Sequence, residues 1–75
     1  MAQEYAVIYE RGGAGEEAWG AHVPDLPGCV TTGATFEEVQ RHIREAIQLH
    51  LEGLNAEGLP IPEATTLVER VPATA

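Results

Sequence analysis

The stretch from residue 23 to residue 29, Val-Pro-Asp-Leu-Pro-Gly-Cys, most constrains how this chain can fold. Pro24 has no N–H to offer a strand ladder, so a strand that reaches it must stop there. Pro27 and Gly28 fit the central positions of a type II turn, because proline presets a negative φ and glycine accepts a positive one. Asp25 is expected to accept hydrogen bonds from nearby backbone N–H groups. We therefore predict a structural turn built by Pro24, Asp25, Pro27 and Gly28.

Segments with strand composition lie on both sides of this turn. Residues 4–10 and 17–23 precede it, and residues 29–32 follow it, which predicts an antiparallel meander of three strands. The first segment is apolar on both faces, so we expect it in the centre of the sheet. The glycine-rich residues 11–16 are predicted to form a flexible hairpin loop. No Lys-Ser/Thr pair follows them, which argues against a phosphate-binding loop.

The helix signals come next. Thr35 and Glu38 have the spacing of a capping box, with Thr35 as the N-cap residue. From Phe36 onward, apolar residues recur at helical spacing to about residue 56, and Gly58 suits the position after the helix end. We predict a helix from residue 36 to about residue 56, roughly 30 Å long. Gly53 lies inside the pattern and leaves an earlier end open.

The remaining residues complete one small domain. The prolines of the segment Leu-Pro-Ile-Pro at residues 59–62 favour an extended connector. Residues 66–71 read as a short last strand, and residues 72–75 as a loose tail. We therefore predict a single α+β domain over residues 1–75, with the order β-β-β-α-β and one long helix on one face of the sheet.

One helix covers only one face of a sheet, so an apolar patch is expected to remain on the other, formed either by Tyr5, Val7 and Tyr9 or else by Ala6 and Ile8. Such patches mark protein interfaces, and a 75-residue chain has a thin core that oligomerisation would support. We predict a homo-oligomer, a dimer or a tetramer. The candidate interface residues are Tyr5, Val7, Tyr9, Trp19 and Leu49.

The net charge of the chain limits the classes of partner that it can bind. The chain has 12 acidic residues against four arginines and no lysine, a net charge of −8. Nucleic-acid affinity comes largely from lysine and arginine, so direct nucleic-acid binding is not expected. An acidic surface favours a basic protein partner, although acidity also serves solubility alone. No apolar run is long enough to span a membrane and no secretory signal is present, so we expect a cytoplasmic protein.

The residues that carry chemistry form no convincing site. Cys29 is the only thiol, and its acidic surroundings favour a packing role over a nucleophilic one. His22, His42 and His50 lack the spacing of metal ligands. His50 falls within the apolar stripe of the helix, as a core histidine or as a pH-sensitive group at an interface. We expect no enzyme activity, no metal and no cofactor.

The order of these segments resembles one known family. The features that carry the resemblance are Tyr-Ala-Val-Ile-Tyr-Glu at residues 5–10, the turn at residues 23–29, Gly-Ala-Thr at 33–35, Ile-Arg-Glu-Ala-Ile at 43–47 and Gly-Leu-Pro-Ile-Pro at 58–62. Together they look like the HicB-like antitoxin family. The resemblance implies a partial RNase H-like fold with the last strand beside the first. It also implies a partner, HicA, a small basic toxin that cleaves mRNA with a histidine and that the antitoxin blocks.

The chain departs from the family in some respects. Many members carry a C-terminal DNA-binding domain, whereas this chain ends at Ala75, so operator binding is not expected. Val39 and His42 stand where the family usually has alanine and often asparagine. A stand-alone oligomeric module, structural or ligand-binding and without a toxin partner, remains the alternative to the antitoxin hypothesis.

Overall fold

The computed structural model describes residues 3–12 and 18–74. It confirms the α+β class, with a three-stranded antiparallel sheet followed by one helix. The elements are β1 (Ile8–Arg11), β2 (Trp19–His22), β3 (Val30–Gly33) and α1 (Phe36–Ala56). The predicted loop at residues 11–16 lies outside the described residues from residue 13 onward.

The sheet has the order β1-β2-β3, so β2 is central and β1 is an edge strand. The prediction that the first strand lies in the centre is therefore wrong. Ile8 pairs with His22, and no pairing continues beyond them. The reason lies in the turn: Pro24, the next residue whose N–H would face β1, has none, and the Val23 N–H faces β3, where it donates to the Cys29 carbonyl at 3.1 Å. Residues 4–7 are left without a ladder partner, which shortens the predicted strand.

The C-terminal segment also departs from the prediction. Residues 59–74 form neither helix nor strand, so the strand predicted at residues 66–71 is wrong for the described chain. At the start of the predicted strand, the Thr66 N–H donates to an Asp25 carboxylate oxygen at 3.0 Å and is not available to a ladder. In the residues just before it, Pro60 and Pro62 have no N–H, and the Ala64 N–H donates to the Gln3 side chain at 3.1 Å. The partial RNase H-like arrangement that the resemblance implies stays a prediction.

The core is small and lies between the helix and the sheet. Its buried side chains are Ala21, Val23, Leu26, Cys29, Val39 and Ile43. Leu26 belongs to the turn yet has no exposed surface, so the turn contributes a side chain to the core. Tyr5, Val7, Tyr9 and Trp19 pack partly buried against this cluster, on the side that the helix covers.

Both helix ends are closed by hydrogen bonds. Thr35 Oγ1 accepts from the Glu38 N–H at 3.1 Å, and the Glu38 carboxylate accepts from the Ala34 N–H at 3.4 Å. At the other end, the Gly58 N–H donates to the Asn55 carbonyl and the Leu59 N–H to the Leu54 carbonyl. With Gly58 at φ 70°, this is the Schellman pattern.

The start of the helix lies very close to β3. A Cβ on Gly33 would lie 2.7 Å from the Val39 backbone nitrogen, closer than real Cβ contacts. Glycine is therefore needed at this position for space, although its φ is not positive.

Candidate protein-interaction site

The predicted turn residues form a scaffold. The Leu26 N–H donates to the Val23 carbonyl and the Cys29 N–H to the Leu26 carbonyl, both at 3.0 Å, so two turns follow each other directly. Gly28 has φ 86°, as the third position of a type II turn requires. The scaffold directs Leu26 into the core and leaves the Asp25 carboxylate at the surface.

Asp25 binds residues far along the chain. One carboxylate oxygen accepts from the backbone N–H groups of Thr65 and Thr66, each at 3.0 Å. The other accepts from the two threonine hydroxyls, at 3.2 and 2.7 Å. The Thr66 N–H and then its hydroxyl are the main causes that lower the pKa of Asp25 below its ordinary value. We call this arrangement the Asp25 clasp. Sequence reasoning predicted only nearby backbone N–H groups as donors to Asp25, because nothing in the turn indicates a partner 40 residues away.

Three aromatic rings gather where the helix begins. Phe36 lies 5.0 Å from both Tyr9 and Trp19, measured between ring centroids, with tilted or edge-on geometry. The guanidinium of Arg11 lies 5.0 Å from the Trp19 ring centre, a cation–π contact. Phe36 was read from the sequence only as part of the helix stripe, yet it joins β1 and β2 to the helix.

A concavity of about 420 Å³ lies beside these rings, between β1 and the C-terminal segment. Its lining is mostly apolar and includes Arg70; the residues are Val7, Ile8, Tyr9, Trp19, Phe36, Val68 and Arg70. We call it the aromatic concavity. Three of the predicted interface residues, Val7, Tyr9 and Trp19, meet here. Tyr5 lies on the same side of the sheet, and its hydroxyl donates to the Pro62 carbonyl at 2.5 Å.

Leu49, the remaining predicted interface residue, lies apart from the others. Its side chain is 68% exposed on the outer side of the helix. It lines a shallow concavity of about 240 Å³ together with Glu45, Gln48 and Glu52. The candidate interface residues therefore fall on two separate surfaces.

The sheet has a second face, opposite the helix, that sequence reasoning described only in general terms. The register places Ile8, His22 and Val30 in one row across it. Val30 is 65% exposed, and His22 Nδ1 lies 3.9 Å from a Glu10 carboxylate oxygen. The alternation of side chains along β3 could have indicated that Val30 lies on one face of the sheet with Thr32. Which face that is could be assigned only once the strand register was known.

The side chains of Cys29, His22 and His42, which could carry chemistry, are engaged in packing or in contacts with other groups of the protein. Cys29 is buried, and burial raises the pKa of its thiol, which leaves less of the nucleophilic thiolate. His42 Nδ1 lies 2.8 Å from the Thr32 carbonyl, at the outer edge of β3. Among the described residues, no three His, Cys, Asp or Glu side chains come together in a way that could hold a metal ion. None of the described helices has the length and apolarity needed to cross a membrane.

Comparisons with known proteins agree with the resemblance. The family model described as "HicB_like antitoxin of bacterial toxin-antitoxin system" matches residues 5–74. UPF0150 protein ssr1765 of Synechocystis is 40% identical over 65 residues, which cover 87% of this chain and 80% of that protein.

Two solved structures share the fold. TTHA0281 from Thermus thermophilus superposes with a TM-score of 0.72 at 28% identity, covering 89% of this chain and 82% of that one. A chain of the HicA3 and HicB3 toxin-antitoxin complex superposes with a TM-score of 0.63 at 33% identity. That match covers 77% of this chain but only 64% of the chain in the complex. The family match over residues 5–74 shows that this chain belongs to the HicB-like antitoxin family of bacterial toxin–antitoxin systems.

Proposed function

We propose that this protein is an antitoxin that binds and neutralises a small basic, mRNA-cleaving toxin of HicA type through protein–protein contacts. The observation that carries the proposal is the likeness to a chain of the HicA3 and HicB3 toxin-antitoxin complex, at a TM-score of 0.63 and 33% identity. Since that match spans 64% of the chain in the complex, the step from family to partner is our inference. Such a toxin acts on mRNA, so the expected compartment is the cytoplasm.

Electrostatics support this partner. A toxin that binds RNA needs a cationic surface, and a net charge of −8 gives this chain the opposite sign. Complementary charge speeds and orients the encounter of two proteins. The same acidity disfavours direct contact with nucleic acid, so we expect the antitoxin to act on the toxin and not on its RNA.

We further propose that the protein has no catalytic activity of its own and needs no cofactor. The buried Cys29 thiol has a raised pKa, and the histidine ring nitrogens described above contact a carboxylate or a backbone carbonyl. We expect a dimer or a tetramer, because large apolar side chains such as Val30 and Leu67 are 65% and 95% exposed in the single chain.

The test is to mix the purified protein with the product of a short Lys/Arg-rich reading frame beside its gene. We expect a stable complex at moderate salt, slower association as salt rises, and rescue of growth when both proteins are expressed. The proposal is wrong if no such reading frame exists, or if its product neither binds nor is neutralised.

The aromatic concavity favours one alternative, an oligomeric ligand-binding module without a toxin partner. Its volume of about 420 Å³ is within the range of small-molecule sites. A stable homo-oligomer that binds a small aromatic compound, encoded with no toxin gene nearby, would favour this reading. Trp19 lines the concavity and is the only tryptophan, so its fluorescence reports occupancy directly.

A further inference from the structure

Several features on the outer side of α1, in its C-terminal half, destabilise the helix. No contact within the described chain compensates for them. Leu49 is 68% exposed at the centre of this side. Gly53 lies one helical turn further on, in the helix interior, and a Cβ built there would meet nothing within 4 Å. Glycine weakens a helix interior relative to alanine. Neither space nor backbone conformation requires glycine at position 53. The exposed Leu49 and the neighbouring Gly53 therefore form an apolar surface that the backbone of another protein can approach closely.

The charges on the same side also oppose the helix. From Glu45 to the C-cap residue Glu57, the chain has three glutamates and no arginine or lysine, and the last turn has no basic residue. The C-terminal end of a helix carries partial negative charge and favours cations. Places where a chain breaks local rules without internal compensation are often functional.

These carboxylates have no cationic partner in the part of the chain that the structure describes. Within those residues, the one close acid–base pair joins His22 and Glu10. The Glu52 carboxylate accepts from the side-chain amide of Gln48 at 3.5 Å. Together with Leu49 and Gln48, the two carboxylates of Glu45 and Glu52 line the shallow concavity of about 240 Å³. An apolar centre flanked by carboxylates that have no cationic partner is complementary to an apolar side chain flanked by lysine or arginine.

The other surfaces fit a basic partner less well. The aromatic concavity includes Arg70, and Arg11 lies over its Trp19 wall. On the open sheet face, the Glu10 carboxylate already lies near His22. Among the described surfaces, the outer side of the helix joins two carboxylates without a cationic partner to a large exposed apolar side chain on a rigid element.

We propose that the outer helix patch, formed by Glu45, Leu49, Glu52, Gly53 and Ala56, is the surface that docks the basic toxin. The inference rests on the proposed antitoxin function and deepens it by naming the contact surface. Leu49 inserts between apolar groups of the toxin, Glu45 and Glu52 pair with its cationic side chains, and Gly53 and Ala56 allow close approach. The positive charge of the toxin offsets the unfavourable charge at the helix end.

The test measures binding of the neighbouring Lys/Arg-rich gene product, with its catalytic histidine replaced by alanine so that both proteins can be purified. The double variant Glu45→Lys/Glu52→Lys should weaken binding by at least about tenfold at physiological salt and reduce the salt dependence. Leu49→Ala should weaken binding by about tenfold and leave the salt dependence unchanged.

A matched control separates local from overall charge. Glu63→Lys/Glu69→Lys makes the same change in net charge on the exposed C-terminal segment, and should change the affinity less than about threefold. All variants should keep the circular dichroism of the parent, because every substituted side chain is exposed.

A second readout needs no substitution. In ¹⁵N-labelled wild-type protein, adding the toxin should shift the amide signals of residues 45–56 most. If wild type does not bind, the proposed function fails. If wild type binds but both helix variants match the control, or the shifts concentrate on the open sheet face or the aromatic concavity, the outer helix patch is not the docking surface and the antitoxin function stands.

Discussion

The same substitution, glycine to alanine, should have opposite effects at two positions of this fold. At Gly33, the added Cβ would lie 2.7 Å from the Val39 nitrogen, 2.9 Å from its Cα and 3.0 Å from its Cβ. Two of these atoms belong to the helix backbone, so relief requires the start of α1 to move away from β3. Overpacking of this kind costs about 1–3 kcal/mol. At about 0.05–0.15 kcal/mol per residue, the whole chain has only about 4–11 kcal/mol of stability.

At Gly53, by contrast, alanine meets nothing within 4 Å and the backbone is helical. The substitution should stabilise the protein by about 0.4–1 kcal/mol, because alanine restricts the unfolded chain and favours the helix. Urea unfolding followed by Trp19 fluorescence measures the stability of both variants. Trp19 is the only tryptophan of the sequence, and it packs on Phe36 at the start of the helix. Protein concentration must be held constant, because an oligomer's stability depends on it.

The sign of the difference is the critical result. We expect Gly33→Ala to lower the midpoint and Gly53→Ala to raise it, with unchanged slopes. A free energy of unfolding of Gly33→Ala within about 0.5 kcal/mol of the wild-type value would refute this reasoning. A shift of the unfolding midpoints of both variants in the same direction would also refute it, because the close approach of α1 to β3 would then not constrain the fold.

Further predictions concern the clasp, the core and the cap. Asp25→Asn should release the C-terminal segment, seen as faster amide exchange at residues 64–66, with the core amides unchanged. Because the pKa of Asp25 is lowered in the folded state, the clasp should hold at all pH values above its ordinary pKa and loosen only as pH falls below about 4; loosening already at pH 6 would contradict this reading. Ile43→Ala, at a fully buried side chain, should cost about 2–5 kcal/mol in denaturant unfolding, whereas Leu49→Ala should stay within about 0.5 kcal/mol of wild type. Thr35→Ala should cost about 0.5–2 kcal/mol through loss of the N-cap hydrogen bond, and Thr35→Ser should restore most of it; equal losses in both variants would argue against capping.

The helix was predictable from the sequence because its signals are local. The spacing of Thr35 and Glu38, the apolar stripe and Gly58 together predicted residues 36–56, and the structure gives Phe36–Ala56. Each signal acts within one or two helical turns, so no knowledge of the tertiary structure was needed. The same holds for the positive φ of Gly28, which the Pro-Gly pair requires locally.

The errors concern long-range contacts. The first strand was expected in the centre because both of its faces are apolar, but strand order depends on which neighbours can pair. The last strand was expected from its β-branched residues, but the Thr66 N–H at its start donates to Asp25, and the N–H groups just before it donate to Asp25 and Gln3. Neither partner is indicated by the segment itself.

The candidate interface was only partly predictable for the same reason. Leu49 could be placed on the outer side of the helix from periodicity alone. Tyr5, Val7 and Tyr9 could be grouped by alternation, but which side of the sheet the helix covers was left open. The structure places these three against the core on the helix side, which leaves Ile8, His22 and Val30 on the open face.

The position of the core along the chain has a consequence for how this protein is made. In the part of the chain that the structure describes, every buried side chain of the core falls between Ala21 and Ile43. Contacts close in sequence form with little loss of loop entropy, whereas the Asp25 clasp must close a loop of 40 residues. Since the N-terminal part of a chain is synthesised first, the hairpin of β2 and β3 and the first turns of α1 can pack on each other before the clasp threonines have emerged. We therefore expect the clasp to form after the core, from a state in which the core is packed and the C-terminal segment is free.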